Sequence, residues 1–135
     1  MPSSPQIAKA KFEMTSWDEK SIVEYEEGRK LTHAKVTKKF TGDLGGESVL
    51  EYLMVYPPAP PVPYVGVERF VGSFLGKQGS FALTITGIYD GTAKEKATII
   101  AGSGTGELVR LRGSWSFGAG HEDKIAGFEI EYWWS

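Results

Sequence analysis

Leu31-Thr32-His33-Ala34-Lys35-Val36-Thr37-Lys38-Lys39-Phe40-Thr41 alternates with a period of two. Ala34, Val36 and Phe40 fall on one parity; His33, Lys35, Thr37 and Lys39 fall on the other. An extended strand turns that period into one apolar and one polar face, whereas a helix would scatter it around its axis. Lys38 breaks the pattern, because it shares the parity of the apolar set.

The same period recurs on both sides of this stretch. Ala8, Ala10, Phe12 and Met14 alternate with Lys9, Lys11 and Glu13, and further strand-like runs occupy 48–56, 64–75, 79–89, 96–102, 107–117 and 124–134. Turn chemistry separates them: Gly42-Asp43, Gly45-Gly46, Gly76-Lys77-Gln78-Gly79, Asp90-Gly91 and Gly118-Ala119-Gly120. Eight strands at hairpin-like spacing are therefore expected, with residues 21–26 open to strand, helical turn or loop. Pro57-Pro58-Ala59-Pro60-Pro61-Val62-Pro63 lacks ladder donors and reads as a stiff loop between two paired strands. Many short antiparallel strands in one domain leave two architectures, sandwich or barrel.

Composition narrows the function classes. The 135 residues suffice for one domain with its own core. Residues 1–7 are expected as a flexible tail and 8–135 as the domain. There is no cysteine, which removes disulfides, a thiolate nucleophile and zinc–thiolate sites, and suits a cytoplasmic location. Neither a signal-peptide core nor a membrane-length apolar run is present. A net charge of −2 with interspersed signs argues against a nucleic-acid partner. His121-Glu122-Asp123 is a weak metal candidate, since adjacent turn residues rarely converge on one ion, and neither metal nor cofactor is expected. Gly102–Gly106 lacks the phosphate-loop pattern and reads as a bend at a barrel corner.

Several segments together resemble a known family. They are Lys38-Lys39-Phe40-Thr41-Gly42-Asp43-Leu44, Glu51-Tyr52-Leu53-Met54, Gly66-Val67-Glu68-Arg69-Phe70-Val71-Gly72, Gly76-Lys77-Gln78-Gly79-Ser80-Phe81, and Gly102-Ser103-Gly104-Thr105-Gly106-Glu107-Leu108 with Leu111-Arg112-Gly113. In that order and spacing they resemble the DUF3224 family. The Gly-Thr-Gly run is also similar to a segment of allene oxide cyclases and dirigent proteins. The resemblance implies an all-β fold, a single eight-stranded antiparallel barrel of the allene-oxide-cyclase kind. Those relatives hold an apolar molecule inside the barrel and steer a ring closure, which needs a shaped cavity and one or two polar groups.

Parity then nominates residues. In 64–75 the inward set is Tyr64, Gly66, Glu68 and Phe70, since glycines relieve crowding inside a small barrel. Phe81, Leu83, Ile85 and Gly87 point inward from 79–89, and Phe128, Ile130, Tyr132 and Trp134 from 124–134. Lys38 and Glu68 thus share the interior, either as an ion pair or as groups with shifted pKa values suited to proton transfer. On 48–56 one of Glu51 and Tyr52 points inward, with Tyr52 preferred. The candidate catalytic residues are Glu68, Lys38, Tyr52 and Glu51, and the candidate substrate wall is Tyr64, Phe70, Phe81, Tyr132 and Trp134. The expected ligand is an apolar small molecule. The expected function is a cofactor-independent cyclase or isomerase, a lipocalin-style carrier being the alternative and a barrel filled by its own side chains the third possibility. Arg69, Val65, Val67, Val71 and Leu75 fall on the outer parity, too apolar for a solvated wall, so a homo-oligomer, dimer or trimer, is expected.

Overall fold

The computed structural model describes residues 5–120 and 125–135. Nine strands follow in chain order: β1 (Gln6–Glu24), β2 (Lys30–Gly42), β3 (Leu44–Tyr56), β4 (Val62–Phe74), β5 (Lys77–Tyr89), β6 (Thr92–Ile99), β7 (Thr105–Gly106), β8 (Leu111–Gly120) and β9 (Ile125–Trp134). Eight of them close a ring in the order β1-β2-β3-β4-β5-β6-β8-β9, and β9 returns to pair with β1. Every pairing is antiparallel. The two-residue β7 lies outside this ring, paired with Gly79 and Ser80 of β5. Closure removes the sheet edges that an open meander would expose, and an eight-strand ring is just wide enough for side chains to fill.

Several boundaries depart from the sequence reading: β3 takes in Gly45-Gly46, β4 takes in Val62 and Pro63 of the proline run, β6 spans Thr92–Ile99 rather than 96–102, and β8 runs on through Gly118-Ala119-Gly120, which read as a turn. Gln6 and Ile7, assigned to the tail, already belong to β1 because they pair with Tyr132 and Glu131. β1 then continues to Glu24, absorbing most of the open segment 21–26, and a 3-10 turn at Glu26–Gly28 leads into β2. The run 107–117 is not one strand: β8 starts at Leu111, and the preceding residues fold across the barrel end. Leu108 is fully buried there, its side chain lying over the inner face of Gly79.

That end is shut by apolar packing. Leu44, Phe74, Leu108 and Leu111 are all buried, and the Phe74 ring meets Tyr132 edge-on at 4.9 Å and Trp134 at 6.2 Å. Further in, Phe70 and Phe81 pair at 5.0 Å, Phe40 meets Phe70 at 5.5 Å, and Trp115 stacks on Phe128 at 5.0 Å. Aromatic pairs in these geometries add to the stabilisation from area burial. The opposite end is bounded by the Glu26–Gly28 turn, the proline loop after β3 and the Asp90-Gly91 turn. It carries the polar interior residues.

Candidate functional site

Lys38 and Glu68 do meet inside the barrel. Lys38 Nζ lies 3.8 Å from Glu68 Oε1, and their side chains are 3% and 1% exposed. Ser48, directly across from Lys38 on β3, donates to Glu68 Oε2 at 2.5 Å. The ammonium also sits 4.2 Å above the centroid of Phe12 and 5.7 Å from that of Phe117. Burial pushes the Glu68 carboxyl above its ordinary range; Lys38 and Ser48 pull it back, and the charge of Glu95 pushes it up again.

Glu95 is the residue that reading from sequence missed. It is 7% exposed and lies in β6 on the inward parity of Ala97 and Ile99. The signal was present, because extending the alternation of 96–102 back by one residue pair places Glu95 inside. Two tyrosines converge on it: Tyr52 OH and Tyr64 OH each donate to Oε1 at 2.9 Å. Its other oxygen, Oε2, is buried with no hydrogen-bond partner. Burial, and next the charge of Glu95, push both tyrosine hydroxyls upward, so they remain protonated donors.

Glycines let the tyrosines reach across. Tyr64, Gly87 and Glu95 share one register row through β4, β5 and β6. A methyl at Gly87 would fall 2.5 Å from Tyr64 Cζ, so the ring lies over the bare backbone to reach Glu95. Tyr52 likewise crosses Gly66, its partner on β4, where an added Cβ would sit 2.8 Å from Tyr52 Cδ1. The two rings meet edge-on at 4.9 Å.

A third carboxylate stands nearer the proline-loop end. Glu19 accepts hydrogen bonds from Trp17 Nε1 at 3.1 Å, Thr32 Oγ1 at 2.7 Å and Tyr56 OH at 2.5 Å. Partial burial raises its pKa, but those three bonds and Lys30 outweigh it and hold the carboxyl below its ordinary value. In the same exchange Tyr56 is pushed up to about 12, by burial first and Glu19 next. Sequence periodicity could not reveal Glu19. The β1–β2 register slips between Met14 and Ser16, and this bulge moves the inward parity from even to odd residues.

The remaining candidates disperse. Glu51 is on the outer wall, with its Oε1 3.2 Å from His33 Nε2, so Tyr52 is the inward member of that pair. Phe70 and Phe81 are packed core beside Glu68. Tyr132 and Trp134 belong to the shut end with Phe74, ten residues along β4 from Tyr64, and are not brought together with it. No cluster of three potential metal ligands occurs among the described residues, and His121-Glu122-Asp123 lies outside them. No helix among them is long and apolar enough to cross a membrane.

The arrangement is one buried polar group, Lys38–Glu68–Ser48 and Tyr52–Glu95–Tyr64, coupled through the charges of the two glutamates. It can accept one further hydrogen bond, at Glu95 Oε2. No curated protein matches the chain. A protein with unknown function from the DUF3224 family of Shewanella oneidensis MR-1, known from its crystal structure, superposes with a TM-score of 0.84 at 25% identity, covering 98% of this chain and 99% of that one. The family profile described as "Protein of unknown function (DUF3224)" matches residues 8–132, and the chain belongs to that family.

Proposed function

We propose that this barrel binds a small, largely apolar molecule that enters at the proline-loop end and presents a hydrogen-bond donor to Glu95. The observation that carries the reading is the unpartnered Oε2 of Glu95, buried while Oε1 takes two tyrosine donors. A buried polar atom without a partner costs about 1–3 kcal/mol, and a ligand donor offsets that. Chemistry of the cyclase or isomerase kind follows if the bound molecule gives or takes a proton at Oε2, with the Lys38–Glu68 pair setting the field. The similarity of the Gly104–Gly106 run to ring-closing barrels supports that extension. A carrier without chemistry is favoured by one fact: both oxygens of Glu68 are already engaged, by Lys38 and Ser48.

Native mass spectrometry of the purified chain tests this. A bound small-molecule mass is expected in the wild type and in Glu51→Gln, whose change is on the outer wall, and not in Glu95→Gln. A bare wild-type chain, or one whose ligand survives Glu95→Gln, overturns the reading.

We also infer that a second copy covers the outer face of β3 and β4. Val49, Leu53, Val55, Val65, Val67 and Val71 are 43–56% exposed there, an apolar wall that water solvates poorly. Within it Arg69, opposite Val49, and Glu47, opposite Val71, have no ion-pair or hydrogen-bond partner among the described residues. A two-fold axis between them pairs each with its counterpart on the other copy, and the contact becomes isologous. Arg69→Glu should yield a monomer by sedimentation, and adding Glu47→Arg should restore the dimer. A monomeric wild type at micromolar concentration overturns this.

A further inference from the structure

We infer that the ligand at Glu95 is an organic cation, a protonated amine on an apolar or aromatic body. The inference rests on the reading that Glu95 takes a ligand donor, and it adds the charge that the donor carries.

The interior is short of one positive charge. Among the described residues its buried ionisable groups are one ammonium, Lys38, and two carboxylates, Glu68 and Glu95. Lys38 is committed to Glu68, and its other neighbours are the rings of Phe12 and Phe117. Glu95 has tyrosine donors in place of a cation. Hydroxyl donors bring no positive charge to the carboxylate, and one of its oxygens is left free. A neutral alcohol at Oε2 would satisfy the hydrogen bond and leave the charge. A protonated amine satisfies both.

The surroundings of Glu95 fit the same chemistry. Tyr52 and Tyr64 meet edge-on beside the carboxylate, and Trp17 lies 5.9 Å from Tyr52, so three aromatic rings cluster near Glu95. Cations gain from the faces of such rings when water is excluded. Trp17 also donates to Glu19, which links that third carboxylate to this aromatic group. Among the described residues of the turns at the proline-loop end, Glu24, Glu26, Glu27 and Asp90 outnumber Arg29 and Lys30, an acidic excess that attracts cations.

The test compares three probes of one shape, benzylammonium, benzyl alcohol and benzoate, by calorimetric titration of the full chain at neutral pH. Benzylammonium should bind about tenfold or more tightly than benzyl alcohol, and benzoate weakest, because a charge-assisted bond replaces a neutral one. Glu95→Gln should bring the ammonium-to-alcohol ratio close to one. Glu19→Gln should weaken the ammonium by a few-fold through the lost rim charge. Benzyl alcohol binding as well as benzylammonium overturns the cation while leaving the binding reading intact. Failure of all three overturns both. Should Glu95→Gln not fold, the wild-type ratio still decides, and Tyr64→Phe, which leaves the carboxylate in place, must preserve the preference for the cation.

Discussion

The two ends of β4 point into the same barrel and do opposite things. At one end Phe74 is locked between Tyr132 and Trp134, with Leu44, Leu108 and Leu111 filling the remaining space. At the other, Tyr64 lies across Gly87 to donate to a carboxylate that is only half satisfied. Apolar packing of the first kind stabilises the fold without specifying any ligand. Buried polar groups of the second kind stabilise weakly or not at all unless fully paired, so an incompletely paired one signals a role outside folding. Glu68 stands between the two. It is buried as deeply as the aromatic core, yet both its oxygens are engaged, which makes it a structural charge more than a site of exchange.

That contrast can be broken from either side. Phe74→Ala removes a fully buried ring, and the expected loss is about 3–5 kcal/mol by denaturant unfolding. Probe binding at Glu95 should survive wherever the variant is folded; loss of binding in a folded variant would mean that the ends are not independent.

Breaking the middle pair is expected to cost a similar amount or slightly less. Lys38→Met or Glu68→Gln alone strands a buried partner, at about 3 kcal/mol, whereas the double variant should recover most of it. A double variant that costs the sum of the two singles would show that the two charges do not interact. The pH dependence carries a sign. Because Glu68 is raised in the folded state, the folded chain binds its proton more tightly than the unfolded chain. Stability contributed this way is full below the ordinary glutamate pKa and is lost as pH rises through the raised value. Glu68→Gln should flatten that slope, measured as unfolding midpoints from acid to neutral pH.

The smallest expected effect is at the polar end. Tyr64→Phe removes one of two donors to Glu95 and should cost about 1 kcal/mol, while Glu95→Gln should be neutral or stabilising because a buried charge is relieved. A loss from Glu95→Gln as large as that from Phe74→Ala would place Glu95 with the core and remove the contrast.

How much of this was readable before the structure depended on whether local alternation ran unbroken. Along 31–41 it did on either side of Lys38, and in 64–75 the glycines marked the inward parity, so the inward direction of Lys38 and Glu68 follows from parity in two strands that both flank β3. Tyr52 and Glu51 were undecidable because apolar residues occupy both parities of β3: one set packs inside, while Val49, Leu53 and Val55 lie on the exposed wall. Glu95 escaped because the strand reading began at 96, whereas β6 begins at Thr92. Glu19 escaped because a bulge reverses the parity. The Leu108 plug was hidden inside a run that alternates like a strand, and only its position over Gly79 reveals the cap.

The sequence by itself determined the strand class, the count of eight barrel strands and the inward direction of Lys38, Glu68 and Tyr64, because a two-residue period is a local property of extended backbone. Tertiary structure alone decided which inward residues meet. The register of the β4–β5 and β5–β6 pairings lays Tyr64 over Gly87 onto Glu95, while Tyr132 and Trp134 come to lie at the far end. Parity tells a side chain which face to take; the neighbour it finds there depends on register and strand order, which are set by the whole barrel closing at once.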